Sequence, residues 1–340
     1  MKHLARHQTL EDRSQTSWAC LHITRRASAS AGGTHVLAPA LSKQPFVGAS
    51  VGIVTWFPFQ NASSGNGPSQ WPPYQMGSLM DGITFIGTAT TIVRLGSFTV
   101  LTDPNFLHRG QRAYLGKGLW SRRLTEPAMQ PADLPSLDAV VLSHLHGDHF
   151  DRIARRQLDH TVPVVTTEHA ASRLRGYGFS SHGLQPWSRY ELTTGDESLT
   201  VESLPAVHAY GALGKLLPPV MGSLLVHRVA GAVRRRVYLS GDTLTGEHLN
   251  EIRERHPEID AAVVHLGGTR LLFWTVTMDA DQGVNFLQRI RPRLAVPVHY
   301  DDYGIFRSPL SEFLSAMKAN LSGQLVEAPA RGETVLLGQR

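Results

Sequence analysis

The residues best suited to chemistry lie in one short segment near the middle of the chain. Residues 143–149 read SHLHGDH, which places three imidazoles and one carboxylate within six positions. Because side chains alternate along a strand, His144 and His146 can point the same way at a strand end, while Asp148 and His149 follow around the turn. Imidazole and carboxylate are the ligands that zinc takes when thiolate is absent. The segment therefore predicts a metal site.

The cysteine content restricts the kind of metal site that this chain can build. Among 340 residues there is a single cysteine, Cys20, which excludes a disulfide framework and a thiolate-rich zinc module. Any metal must then be held by nitrogen and oxygen atoms. With 41% hydrophobic and 18% charged residues, the chain can bury the core of one large domain or two small ones, and it cannot be wholly disordered.

The net charge of +5 is concentrated at the start of the chain. Residues 1–80 carry six basic and two acidic side chains, whereas residues 81–340 carry 27 basic and 26 acidic ones. A domain that binds the phosphate backbone of nucleic acids usually presents a basic face. We therefore expect no nucleic-acid partner for the nearly neutral region.

The first part of the chain also differs in its residue pattern. No charged side chain occurs over residues 44–80, and Asn, Ser, Gly and Pro cluster over residues 60–79. The apolar run within this part is too short to span a bilayer, so we expect no transmembrane segment. We interpret residues 1–80 as a low-order N-terminal extension or a non-native start, with a targeting segment as the alternative. Removal of everything before Met76 should leave solubility and activity intact; unfolding of that variant would contradict this interpretation.

From residue 81 onward, short β-branched runs bounded by turn residues alternate with helical patterns. The predicted strands cover residues 83–86, 90–95, 98–102, 139–142, 162–166, 199–203, 223–227, 236–240, 261–265, 294–298 and 334–337. The predicted helices cover residues 150–157, 168–176, 245–256, 279–290 and 309–320. Two sheets packed face to face, with helices outside them, accommodate these elements in layers. The expected fold class is therefore α/β.

The segment 143–149 resembles the metal-binding signature of the metallo-β-lactamase superfamily, and the resemblance extends over about residues 82–338. It implies the αββα four-layer sandwich of that family, as a hydrolase domain over residues 81–340. It also implies three further metal ligands, each of which follows a strand-like stretch. The complete implied set is His144, His146 and His208 for one zinc ion, Asp148, His149 and His299 for the other, and Asp242 between them.

The same resemblance implies roles for further residues. Two Zn²⁺ ions, with Mn²⁺ or Fe²⁺ as alternatives, would share a bridging hydroxide that Asp148 helps to orient. Asp103 resembles an aspartate that the family places after an early strand, and we expect it to hydrogen-bond a ligating histidine. His265 ends a strand at the expected rim of the site. It would contact the substrate or protonate a leaving group, and a histidine buried in the core is the alternative interpretation.

Three further segments narrow the resemblance. The sequences GTAT at 87–90, LTDPN at 101–105 and PVHYDDY at 297–303 look like the branch that contains L-ascorbate-6-phosphate lactonase and N-acylphosphatidylethanolamine phospholipase D. Many members of that branch have histidine where Thr88 stands. The expected function is a cytoplasmic dizinc hydrolase of an ester-type bond, either a lactone or a phosphodiester. The alternatives are an RNA-processing nuclease of the same fold and an iron-dependent dioxygenase.

Two apolar segments bear on the substrate. Residues 211–225 follow the implied ligand His208, and residues 271–274 follow a pair of glycines. Because loops beside a metal site often shape its pocket, these segments predict an apolar wall that prefers an acyl or other hydrophobic substituent. The expected substrate is a small molecule or is lipid-like. Core packing, or a contact in a homo-oligomer, is the alternative interpretation.

Overall fold

A computed structural model describes residues 80–271 and 274–338 of the chain. The expectations for the N-terminal extension concern residues outside this described part, apart from residue 80. None of the helices within the described ranges has the length and apolar character needed to cross a bilayer.

In chain order the strands are β1 Gly82–Gly87, β2 Thr90–Leu95, β3 Phe98–Thr102, β4 Arg112–Tyr114, β5 Trp120–Arg122, β6 Ala139–Val141, β7 Val164–Thr167, β8 Ser181–Leu184, β9 Arg189–Thr194, β10 Glu197–Pro205, β11 Met221–Val229, β12 Ala232–Leu239, β13 Ala261–His265, β14 Arg270–Leu271, β15 Trp274–Thr275, β16 Leu294–Val298, β17 Leu325–Val326 and β18 Thr334–Leu336. The α-helices are α1 Arg152–Gln157, α2 Glu168–Gly176, α3 Gly211–Gly214, α4 His248–Arg255, α5 Ala280–Ile290 and α6 Leu310–Asn320.

The two seven-stranded sheets have the same arrangement of antiparallel and parallel strands. The first has the order β18-β1-β2-β3-β6-β7-β8 and the second has the order β17-β16-β13-β12-β11-β10-β9. In each sheet one half is antiparallel and the other half is parallel, with the change at the β3 to β6 pair and at the β12 to β13 pair. Parallel neighbours need crossover connections, and helices α1, α2, α4 and α5 lie in these connections.

The buried side chains show how the layers pack. On β2 and β3, Val93 and Val100 belong to the large core cluster that includes residues of the second sheet and of helices α4, α5 and α6. The intervening residues Ile92 and Leu101 belong to a second cluster with residues of α1 and α2. Alternation along these strands thus buries both faces of the sheet. The αββα sandwich expected from the sequence is confirmed.

The strands that the sequence prediction missed are short or lie at edges. They include the β4 to β5 hairpin and the strands β8 and β9, which are consecutive in the chain and lie at the edges of the first and the second sheet. Strand β9 reads RYELTT and none of its residues is fully buried. Because an edge strand with a solvent face has few buried β-branched residues, its hydrophobic pattern is weak.

The strand order brings the polar strand ends together. Parallel strands present their carboxyl ends at the same edge of a sheet, which is where ligands bind in α/β folds. Strands β3, β6, β10, β12 and β16 are each followed by a residue that the sequence marks as functional, and β13 ends on one. These residues are Asp103, His144, His208, Asp242, His299 and His265.

Candidate metal centre

Seven histidine and aspartate side chains gather at this edge. Their ligand atoms form three overlapping groups, within each of which the atoms lie no more than 4.8 Å apart. The first group is His144, His146 and His208; the middle group is His144, His149 and Asp242; the last group is Asp148, His149 and His299. The structure thus brings together every residue for which the sequence implies metal ligation.

The first group consists of three imidazoles. His146 Nδ1 lies 2.9 Å from His144 Nε2 and 3.4 Å from His208 Nε2. His208 Nδ1 donates a hydrogen bond to the carbonyl of Val276 at 3.0 Å, which leaves its Nε2 atom without a proton. His144 Nδ1 lies 3.0 Å from the Ser143 hydroxyl. Three ring nitrogens therefore face one another at one point.

The last group combines two imidazoles with a carboxylate. His299 Nδ1 donates to the carbonyl of Leu266 at 3.0 Å, so its Nε2 atom faces the Asp148 Oδ2 atom at 3.5 Å. The Nε2 atom of His149 faces Asp242, and the Nδ1 atom on the other side of the ring faces Asp103. A backbone carbonyl or a carboxylate thus orients each ring from behind, as is common for histidines that bind metals.

Asp242 lies between the two outer groups. Its Oδ2 atom is 3.2 Å from His149 Nε2 and 3.9 Å from His144 Nε2, and its Oδ1 atom is 3.7 Å from His299 Nδ1. The preceding residue, Gly241, has φ +60°, and a Cβ atom there would lie 2.8 Å from the carbonyl of Met221. Only glycine fits this turn, which directs Asp242 into the site.

The donor set fits divalent metal ions. Four buried atoms of the ligand residues have no hydrogen-bond partner in the described part of the chain, and they are His149 Nε2, His299 Nε2, Asp148 Oδ1 and Asp242 Oδ1. A buried polar atom without a partner costs folding free energy unless a cation or water satisfies it. Imidazole nitrogens and carboxylate oxygens in one buried cluster are donors for zinc and related ions.

The pKa values of the three histidines in the first group favour the neutral form, which can bind a cation. Burial lowers the pKa of His144, His146 and His208, and for His146 it falls to about 4 with a further contribution from His208. These rings are therefore neutral near pH 7. Burial acts to raise the pKa of Asp242, but His149 and His299 hold it well below its ordinary value, so that it is a carboxylate.

Asp103 lies directly behind the ligand cluster. Its Oδ1 atom accepts hydrogen bonds from the backbone amide and hydroxyl of Ser143, and its Oδ2 atom is 3.3 Å from both His149 Nδ1 and His265 Nε2. Although burial acts to raise the pKa of Asp103, His149 and His265 lower it. Asp103 thus lies where it could orient His149, and its support of a ligating histidine stays a prediction.

His265 lies behind Asp103, farther from the ligand cluster than Asp103 is. It is 1% exposed, its Nε2 atom faces Asp103, and its Nδ1 atom is 3.1 Å from the Ser240 hydroxyl. Both ring nitrogens thus have protein partners. The geometry favours a positioning role, through Asp103 and His149, over direct contact of His265 with a substrate.

Several residues of the site were missed in the sequence. Ser143 contacts both His144 and His149 through its hydroxyl, and its place inside the segment 143–149 was a signal for it. Thr88 makes backbone hydrogen bonds to Asp302 and to His299, and its φ of +54° has no signature in the local sequence.

Comparison with known proteins agrees with this architecture. Residues 99–300 match the family model described as the β-lactamase superfamily domain. A metal-dependent hydrolase of Nanoarchaeum equitans is 25% identical, over 57% of this chain and 82% of its own. The N-acyl-phosphatidylethanolamine-hydrolyzing phospholipase D 1 of Caenorhabditis elegans is 26% identical, over 65% of this chain and 64% of its own.

A solved structure shows the same fold. The protein described as a possible metal-dependent hydrolase from Veillonella parvula has a TM-score of 0.65 and 21% identity, and the match covers 76% of this chain and all of that one. The resemblance seen in the sequence is therefore confirmed. Since the family model spans more than half of the chain, the protein belongs to the β-lactamase superfamily and is a metal-dependent hydrolase.

Proposed function

We propose that this hydrolase uses two divalent metal ions to cleave an ester-type bond, a lactone or a phosphodiester, in a small molecule or lipid. The observation that carries the proposal is the position of Asp242 between two separate groups of buried donors. When bound, two such ions would lower the pKa of a water molecule and polarise the carbonyl or phosphoryl oxygen of the substrate.

The ligand atoms divide naturally between two ions. The three imidazoles of the first group would hold one ion, the last group would hold the other, and Asp242 would contact both. Zn²⁺ is our first choice because the donors are imidazole and carboxylate in a buried site, and Mn²⁺ or Fe²⁺ are the alternatives.

The carboxylate of Asp148 is suited to orient a water molecule. Its Oδ1 atom is buried and has no hydrogen-bond partner among the described residues, while Oδ2 faces His299. Burial acts to raise the pKa of Asp148, but His149 and His299 hold it below its ordinary value. The group is therefore an ionised carboxylate that can orient an attacking water molecule through Oδ1.

Two exposed apolar side chains, close in sequence to residues that build the first group, support a hydrophobic substrate. Leu216 and Trp274 are 59% and 54% exposed, although large apolar side chains are usually buried. Leu216 follows helix α3, just after His208, and Trp274 precedes the Val276 carbonyl that orients the same histidine. We therefore propose that an acyl or other apolar substituent lies here. A strong preference for a small hydrophilic sugar phosphate over a lipid-like ester would contradict this part of the proposal.

The test compares metal content and turnover in two histidine variants. His146→Ala is expected to lose bound metal and activity together, because it removes a donor from the first group. His169→Ala is the matched control, since His169 is exposed on α2 and belongs to none of the ligand groups. Metal per chain is measured by elemental analysis, and turnover is screened with lactones, phosphodiesters and N-acyl lipids. Full retention of metal and turnover in His146→Ala would exclude the proposed site.

The same screen separates the two alternatives. A nuclease would cleave RNA with a strong dependence on salt, because its contacts would be with phosphates. The balance of 27 basic and 26 acidic residues over 81–340 favours an activity on small esters that is insensitive to salt. Iron as the only metal in protein purified without added metal would favour the dioxygenase. The cytoplasmic location stays a prediction from the sequence.

A further inference from the structure

Arg123 is a buried cation that no step of the proposed reaction uses. It follows strand β5 and is the largest side chain that is completely buried in the described part of the chain. A buried charge is tolerated only when it is paired and hydrogen-bonded. The partners of Arg123 therefore indicate the role of its buried guanidinium group.

One arm of the guanidinium leads to the segment that carries most of the metal ligands. Arg123 Nη1 donates to the carbonyl of Asn105 at 3.2 Å and also to its side-chain oxygen, Oδ1. The Asn105 amide donates in turn to the carbonyl of Gly147 at 2.7 Å. The Tyr303 hydroxyl donates to the same Oδ1 atom at 3.0 Å. Gly147 immediately precedes Asp148.

The other arm leads to the loop that carries His299. Arg123 Nη2 lies 3.1 Å from Asp302 Oδ1, and both side chains are 0% exposed. Asp302 Oδ2 accepts the backbone amide of Thr88 at 2.7 Å, and the Thr88 carbonyl accepts the backbone amide of His299 at 2.7 Å. The chain of contacts therefore ends at a metal ligand.

Both residues at this end have a costly backbone conformation. Thr88 has φ +54° and His299 has φ +65°, in the left-handed region that is unfavourable for a residue with a side chain. Such residues keep this conformation only where the surrounding contacts hold it. Here the two hydrogen bonds through Thr88 supply those contacts, and Arg123 fixes the Asp302 carboxylate that makes the first of them.

We propose that Arg123 is a positioning residue that holds the loop of Asp148 and the loop of His299 at a constant separation. Its planar fork reaches both sides at once, which a single ammonium group cannot do. Asp148 and His299 both belong to the last ligand group, whereas His208 is oriented by a different carbonyl. This inference rests on the proposed function, because it assigns those two ligands to one of two metal ions.

The experiment measures how strongly each metal ion is retained. Full-length protein loaded with Zn²⁺ is dialysed against increasing concentrations of a chelator, and zinc per chain is measured by elemental analysis. The wild type should retain two equivalents and lose them in two steps. In Arg123→Lys and Arg123→Met we expect one equivalent to be lost at a chelator concentration about 10- to 100-fold lower, with the other unchanged.

Three further variants and a spectrum sharpen the result. Arg122→Met is the matched control, because Arg122 is the exposed neighbour on the same hairpin, and it should behave as the wild type. Tyr303→Phe keeps the ion pair and should shift the same equivalent by less. Thr125→Val removes a hydroxyl that contacts Asp302 and should act in the same direction. With Co²⁺ in place of Zn²⁺, the visible absorption of one bound equivalent should change in Arg123→Lys.

The possible outcomes are distinct. Arg123→Lys that is folded by circular dichroism and retains both equivalents as the wild type does would overturn the inference, and so would an equal loss of both. If Arg123→Met does not fold, Arg123→Lys and Tyr303→Phe decide the result. A wild type that retains fewer than two equivalents would instead refute the proposed function.

Discussion

The Asp103 carboxylate shows how one side chain outside the ligand set organises the site. It accepts two hydrogen bonds from Ser143 and faces the rings of His149 and His265. Its φ of +38° is unusual for a residue that is not glycine. A carboxylate behind a ligating imidazole sets the orientation of the ring and raises its basicity, so the loss of this charge acts on metal affinity.

The variant Asp103→Asn tests this role. It keeps the shape of the side chain but loses the charge that faces His149 Nδ1. We expect zinc to be lost at a chelator concentration about 10- to 100-fold lower than for the wild type. Asp196→Asn is the control, since Asp196 is an exposed turn residue. Unchanged metal retention in Asp103→Asn would show that the carboxylate does not support the ligand.

At the scale of elements, the β4 to β5 hairpin lies against the ligand segment. The amide of Gly147 donates to the carbonyl of Tyr114 at 2.9 Å. At the tip of the hairpin, Gly116, Lys117 and Gly118 have φ of +87°, +50° and +82°, and a Cβ atom on Gly116 would lie 3.6 Å from His146 Nε2. Among the strands that the structure describes, β4 and β5 pair only with each other. The position of the hairpin therefore depends on contacts outside its own sheet, and the hydrogen bond from Gly147 is one of them.

The variant Gly147→Ala tests this contact. A Cβ atom at residue 147 would lie 2.6 Å from the carbonyl oxygen and 2.8 Å from the nitrogen of Tyr114, so the backbone of the hairpin or of the ligand segment must shift. We expect a loss of about 1–3 kcal/mol in the free energy of unfolding, with weaker zinc retention. Gly304→Ala is the control, because no atom lies within 4 Å of its added Cβ. Urea unfolding and zinc analysis measure both effects, and equal values for the two variants would refute the contact.

At the scale of the whole molecule, the two sheets meet at the site through buried charge as well as through the apolar core. Asp302 follows strand β16 of the second sheet and accepts the amide of Thr88, which lies between β1 and β2 of the first sheet. Burial acts to raise the pKa of Asp302, but Arg123 and Arg331 hold it below its ordinary value. The folded chain is thus stabilised by the ionised form of this carboxyl group.

The stability of the molecule should therefore depend on pH through Asp302. A carboxyl group whose pKa is lower in the folded chain contributes stability above its unfolded pKa of about 4, and this contribution is lost as the pH falls towards the folded value. Asp302→Asn leaves Arg123 without its counter-charge, and we expect it to cost about 3–5 kcal/mol at pH 7. The difference from the wild type should narrow between pH 5 and pH 3.

Urea unfolding with a chelator present throughout measures this difference without a contribution from metal. Glu251→Gln is the control, because the Glu251 side chain is 45% exposed and forms an ion pair with Arg255 on the surface of helix α4. We expect it to cost about 0–1 kcal/mol. A difference between Asp302→Asn and the wild type that stays constant from pH 7 to pH 3 would contradict the role of the ionised carboxyl group.

The sequence by itself determined the fold class and the ligand-rich segment 143–149, because these are local patterns. Strands β2, β3, β13 and β16 have the predicted bounds, since each is a run of β-branched and apolar residues between turn residues. The edge strand β9 could not be predicted in this way, because its solvent face breaks the hydrophobic pattern. The resemblance to a family further supplied His208, Asp242 and His299, which no local pattern distinguishes from other histidines and aspartates at strand ends.

Only the tertiary structure decided which side chains stand behind the ligands. Arg123 and Asp302 are 179 positions apart, and Tyr303 and Asn105 are 198 positions apart. Periodicity, turn residues and capping signals act over a few residues, so they contain no information on such pairs. Likewise, the sequence placed His265 at the rim, whereas packing of β13 between β12 and β16 puts its ring behind Asp103. These contacts form only when the two sheets pack together. Each charged group is then removed from water, which is tolerated only where an opposite charge pairs with it.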